Sequence, residues 1–121
     1  MTKGGKTLEI KLSNRGNTLI VRLHGELDHH TAEYARQKIE NEIIKPITRN
    51  MIFDFSNLTF MDSSGIGVIM GRYKNIRKIN GKVAIACSNS QVVRLLDVSG
   101  ISRVIPVCTD LDNAVKMIRG E

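Results

Sequence analysis

The hydrophobic period of this chain changes within one short stretch, and that change narrows what it can fold into. Met51-Ile52-Phe53-Asp54-Phe55 is a run of apolar, β-favouring residues of the kind found in a buried strand. Ile66-Gly67-Val68-Ile69-Met70-Gly71-Arg72-Tyr73-Lys74 has helical spacing instead. Between them stands Asp62-Ser63-Ser64-Gly65, whose first three residues are all good helix N-caps. A strand that feeds into a capped helix is the repeating unit of an α/β domain.

The flanking sequence extends this pattern. Thr7–Leu12 and Thr18–Leu23 alternate apolar and polar residues around the turn signal Asn14-Arg15-Gly16-Asn17, which predicts an antiparallel hairpin. Gly25-Glu26-Leu27-Asp28 is expected to be a loop. A helix follows from about His30 to Ile44, capped by Asp28 or Thr31, with an apolar stripe of Ala32, Ala35, Ile39 and Ile43 and a stop at Pro46. The central strand and helix occupy Asn50 to Ile79 and end at Asn80-Gly81. Val83–Ala86 is an inner strand, Ser88–Val98 a helix, Arg103–Val107 a last short strand, and Asp110 or Asp112 caps a final helix to about Ile118. The expected class is α/β: one mixed sheet of about four to five strands with about four helices, in the order β-β-α-β-α-β-α-β-α.

At 121 residues the chain suits a single domain, 1–121, with residues 1–6 reading as a frayed start. It is 41% hydrophobic but only 4% aromatic, so the core must be aliphatic. No apolar run approaches the roughly 20 residues needed to span a bilayer, and no apolar segment follows the N-terminal lysines as a secretion signal requires. Cys87 and Cys108 have no metal-like spacing, and they read as reduced thiols of a cytoplasmic protein. The net charge is +6, partly concentrated in Arg72, Lys74, Arg77, Lys78 and Lys82. Such a cluster can mark nucleic-acid binding. A solvated helix end is the better reading, because few aromatics are available to stack on bases and cations suit a helix C-terminus. An acidic protein partner is an intermediate option, and no direct DNA binding or membrane association is expected.

The chemistry of Asp62-Ser63-Ser64-Gly65 admits three readings: a cap, a nucleophile or a phosphate acceptor. A nucleophilic serine needs a base. The three histidines, His24, His29 and His30, all precede the serines, and Gly-x-Ser-x-Gly is absent. Adjacent His29 and His30 do not face one site as an i, i+4 metal pair does, and no P-loop is present. Asp54 on a central strand invites comparison with a receiver domain, but no acidic pair follows the first strand. The remaining reading is a docking surface with a modifiable hydroxyl. Gly65 and Gly67 would leave room for a partner's backbone. Gly67 and Gly71 share a helix face, and each costs roughly 1 kcal/mol relative to Ala. Close approach to the chain's own sheet and close approach to a partner both account for that cost.

Gly25-Glu26-Leu27-Asp28-His29-His30-Thr31-Ala32-Glu33 and Phe60 through Lys74 together resemble the STAS domain family, and Val93 through Gly100 resembles its late helix and turn. The long second motif and the Leu-Asp-His-His segment are similar to its sporulation antagonists of anti-sigma factors. That resemblance implies a non-enzymatic switch, an anti-anti-sigma factor. The unphosphorylated form would bind an anti-sigma F factor, itself an ATP- or ADP-bound serine kinase, and displace sporulation sigma factor F. The kinase would phosphorylate the serine directly after Asp, here Ser63, with Ser64 as the alternative, and a PP2C-type phosphatase would remove the phosphate. Asp28, His29, Asp62, Ser64, Gly65, Ile66 and Gly67 would form the partner-binding surface, with no cofactor. An antagonist in a stress-response sigma factor pathway is the alternative.

Overall fold

The structure is a computed structural model that describes residues 8–121, so the expectations for residues 1–7 lie outside the described residues. The elements are β1 (Leu8–Arg15), β2 (Thr18–Leu27), α1 (Ala32–Ile43), β3 (Asn50–Met61), α2 (Ser63–Lys78), β4 (Val83–Ala86), α3 (Ser90–Val98), a 3-10 turn (Ile101–Arg103), β5 (Val107–Cys108) and α4 (Leu111–Arg119). The five strands lie in the order β1-β2-β3-β4-β5. β1 pairs antiparallel with β2, and the remaining pairs are parallel. The expected class and element order are those of the structure.

Strand alternation divides the core between the two faces of the sheet. Leu19, Val21 and Leu23 of β2, Met51, Phe53 and Phe55 of β3, and Val83 and Ile85 of β4 join one cluster. That cluster is closed by Ala35 and Ile39 of α1, Val68, Ile69 and Ile76 of α2, and Val92 and Leu96 of α3. The other face is smaller: Ile52, Ala84 and Ala86 meet Ala114 and Ile118 of α4. The small alanines let α4 lie close to the strands. Each large aliphatic side chain removed from water contributes about 1.5–3 kcal/mol, so the aliphatic core needs no tryptophan.

Two expectations are corrected. Gly25-Glu26-Leu27 is strand, not loop: β2 continues to Leu27, which is fully buried. The pairing with β3 slips between Arg22 and His24 and again between Gly25 and Glu26, and Gly25 takes φ 116° there. Glycine adopts that backbone without a Cβ penalty, so a residue that looks like a turn former serves a bulge. β3 likewise runs past Ser56-Asn57 to Met61. The second correction concerns Arg103–Val107. Only Val107–Cys108 pairs with β4, and residues 101–103 form the 3-10 turn. Pro106 has no N–H for a ladder, although its carbonyl accepts from Ile85 N at 2.9 Å.

Candidate functional site

Extending β2 and β3 to Leu27 and Met61, which are register partners, brings the loops that follow them to one end of the sheet. The first loop is built around Thr31, which is 2% exposed. Its Oγ1 donates to the Glu26 carbonyl at 3.0 Å and accepts from Asp28 N at 3.0 Å. Asp28 Oδ1 accepts from His30 N at 2.9 Å and Thr31 N at 3.2 Å. Thr31 is the N-cap residue of α1 by position, but its side chain makes no capping bond. The helix begins at Ala32, two residues later than expected, because Asp28 first closes its own turn.

The second loop is a single residue. Asp62 is the N-cap of α2, and its Oδ1 accepts from Ser64 N at 2.8 Å. Its backbone N–H donates to the Leu27 carbonyl at 3.2 Å, and its carbonyl accepts from Gly65 N at 3.0 Å. Its Oδ2 accepts from His29 N at 3.3 Å. One carboxylate therefore starts a helix and fastens the neighbouring loop to it. The structure brings Asp28, His29, Asp62, Ser63 and Ser64 together at this end. Ser63 is the first residue of α2 and exposed, whereas Ser64 is half-buried.

The three glycines of α2 have different reasons to be glycine. A Cβ on Gly65 would stand 2.5 Å from Met61 Cγ and 3.0 Å from Leu27 Cδ2, so Gly65 packs against the chain's own sheet. A Cβ on Gly67 or Gly71 would meet nothing within 4 Å. Close approach to the sheet is thus excluded for these two. Gly67 is exposed one turn beyond Ser63, and Ile66 between them packs partly on the core. Phe60, 46% exposed and in register with Glu26, also stands at this end. The sequence reading did not single it out as a site residue. Alternation from Phe53 and Phe55 puts Phe60 on the opposite face of the strand, but β3 first had to be seen to continue past Ser56-Asn57 for that count to apply.

The alternative chemistries find little support in this geometry. Among the described residues no histidine ring hydrogen-bonds Ser63 or Ser64. The His29 and His30 rings lie against each other, 3.9 Å between centroids. No cluster of three metal-ligating side chains occurs among the described residues. Asp54 points away from the main core and is held by Arg22 Nε at 3.0 Å and Ser56 Oγ at 2.6 Å. Burial would raise its pKa, but the bonds from Ser56 and Arg22 outweigh burial and hold it below the ordinary range. It is a structural carboxylate. Burial raises the pKa of both the Cys87 and Cys108 thiols, which disfavours the nucleophilic thiolate.

The basic cluster is also smaller than expected. Arg72 is 6% exposed, and its Nη2 lies 2.8 Å from Glu40 Oε2 between α1 and α2. Burial lowers its pKa, and Glu40 opposes that effect. Lys74, Arg77, Lys78 and Lys82 remain exposed. No helix among the described residues is long and apolar enough to cross a membrane.

A STAS domain profile matches residues 9–114. The chain is 42% identical over 108 residues to the Anti-sigma F factor antagonist of Paenibacillus polymyxa, covering 89% of this chain and 92% of that relative. Among solved structures it is similar to the anti-sigma factor antagonist SpoIIAA in its unphosphorylated form, with TM-score 0.80 and 31% identity over 93% of this chain and 98% of that one. It is also similar to the Bacillus cell fate determinant SpoIIAA in the phosphorylated form, with TM-score 0.71 and 29% identity over 92% and 100% of the two chains.

Proposed function

We propose that this chain, which belongs to the STAS domain family, is an anti-sigma factor antagonist switched by phosphorylation of Ser63. The unphosphorylated form binds an anti-sigma F factor that is also a serine kinase, and so releases sporulation sigma factor F. Asp28 and His29 of one loop, with Asp62, Ser64, Gly65, Ile66 and Gly67 around the start of α2, form or shape the contact surface. A PP2C-type phosphatase restores the binding form, and the protein is the substrate of both enzymes rather than a catalyst. Its setting is the cytoplasm. The observation that carries this reading is the exposed Ser63 at the first position of α2, on the same end of the sheet as the Asp28–His29 loop. The similarity to an anti-sigma F factor antagonist supports the sporulation pathway over a stress-response one.

The physics of the switch follows from that position. A phosphate on Ser63 adds about −1.5 to −2 charge at pH 7. The Ser64 and Gly65 N–H groups are already taken by Asp62, but the phosphate sits in solvent at the positive end of the helix dipole, so the fold tolerates the charge. Asp62 repels it, modestly in a solvated turn. In a complex the same phosphate would be desolvated against a surface shaped for a hydroxyl, costing a few kcal/mol. Each 1.4 kcal/mol is a factor of about ten in affinity, so binding is lost without refolding.

The test is incubation with the cognate anti-sigma kinase and ATP, read by mass spectrometry. One added phosphate that maps to Ser63 and disappears in Ser63→Ala is expected. No modification, or a Ser63→Ala protein still phosphorylated, overturns the assignment.

A further inference from the structure

The end of the sheet opposite Ser63 carries a surface that the switch does not use. The C-terminal turns of α1 and α2 and the chain entering β3 enclose a groove of about 820 Å³. Its apolar lining includes Ile44, Ile47 and Ile79, which are 79%, 58% and 42% exposed. Three isoleucines exposed in one concavity form a grouped apolar surface rather than singly scattered residues.

The charge around the groove is one-sided. Glu40 is held by Arg72 and Arg36, and Glu42 is held by Lys45. Arg49 and Lys78 line the groove, and neither has an ion-pair partner among the described residues. On the far side of α2, Arg77 and Lys82 line a second hollow of about 310 Å³ with Val104 and Met117. An apolar floor with unmatched cations on its rim complements apolar side chains interleaved with carboxylates.

We propose that this groove docks an acidic amphipathic segment of a partner protein. Its apolar side chains seat against Ile44, Ile47 and Ile79, and its carboxylates pair with Arg49 and Lys78. The residues that precede Leu8 carry two lysines and no carboxylate, the wrong charge to fill the groove. A lipid surface is too flat to reach a concave floor between two helices, and a nucleic-acid backbone would leave the isoleucines unpaired. α2 is 16 residues long, so about 24 Å separates its two ends. A segment held here leaves the Ser63 end free, and the two contacts are compatible on one molecule.

The experiment uses the full chain with labelled isoleucine methyl groups. It is titrated with a synthetic amphipathic peptide of leucine and glutamate, and separately with its leucine–lysine twin. Saturable shifts at Ile44, Ile47 and Ile79 are expected, with affinity for the acidic peptide about tenfold or more above its twin. The preference should reverse in the Arg49→Glu/Lys78→Glu double variant, both positions being exposed, with isoleucine methyl signals away from the groove showing that the fold is kept. The Ser63→Ala variant should bind the acidic peptide unchanged, which separates this site from the switch. Equal affinity for both peptides, no binding, or shifts confined to the Ser63 end overturns the proposal. So does tighter binding of phosphatidylglycerol vesicles or duplex DNA through the same residues, or self-association through them at the concentrations used.

Discussion

Asp62 Oδ2 accepts the backbone N–H of His29 at 3.3 Å, which ties the loop after β2 to the start of α2. The same carboxylate caps the helix through Ser64 N at 2.8 Å. Asp62, the residue beside the proposed phosphate acceptor Ser63, is therefore also the residue that holds the two halves of the candidate surface in register.

Replacing Asp62 separates these roles. Asp62→Ala removes the cap and the tie, and should cost about 1 kcal/mol in urea denaturation, the usual value for a lost N-cap. Asp62→Asn keeps a side-chain oxygen for capping and should stay within about 0.5 kcal/mol of the parent. If both variants lose stability equally, the charge rather than the cap holds this turn.

The neighbouring glycines should respond in opposite directions. Gly65→Ala places a methyl against Met61 and Leu27 and should destabilise by about 1–3 kcal/mol, the cost of an overfilled core. Gly67→Ala meets open space and gains helix propensity, so thermal denaturation should show a stabilisation of up to about 1 kcal/mol. Under the proposed function the stabilised Gly67→Ala protein should bind its anti-sigma factor more weakly, since the added methyl stands on the docking face. Unchanged binding would remove Gly67 from that face.

The strand-to-helix order, the inner strand Val83–Ala86 and the capped start of α2 were legible in the sequence because each depends on local pattern. The period of two in β2 and the Asp-Ser-Ser cap are set within a few residues. What was not legible depends on partners far along the chain. Gly25 resembles a turn until β3 is seen to continue beside it to Met61. Arg72 resembles one more surface cation until Glu40 of another helix meets it. At the candidate site, Ser63 and Asp62 could be singled out from the motif. That His29 bonds to Asp62 could not, because the bond joins residues from different loops.

Asp54 gives the fold a defined acid limb. Its folded-state pKa is held below the ordinary value by Ser56 and Arg22 against the effect of burial. The ionised form is therefore favoured on folding. Its contribution is fully present above the unfolded pKa of about 4 and is lost as pH falls through the lower folded value. Denaturation measured across this range should show stability falling with pH, and Asp54→Asn should flatten that limb. A variant with the parent's full acid dependence would place the titrating group elsewhere.

The Glu40–Arg72 pair should show the asymmetry of a buried ion pair. Arg72 Nε and Nη1 are buried without a hydrogen-bond partner, so the guanidinium is only partly compensated by Glu40. Glu40→Ala strands the cation between α1 and α2. It should cost roughly 1–3 kcal/mol, less than a fully buried pair because Glu40 is 33% exposed and water can reach the vacated space. Arg72→Met removes the charge and its two unpaired donors while keeping an apolar stem against the helix interface. It should be close to neutral, and the double variant should be no worse than Arg72→Met alone. A double-mutant cycle in urea measures this directly. An Arg72→Met loss as large as that of Glu40→Ala would mean that the guanidinium itself, rather than its stem, holds the two helices together.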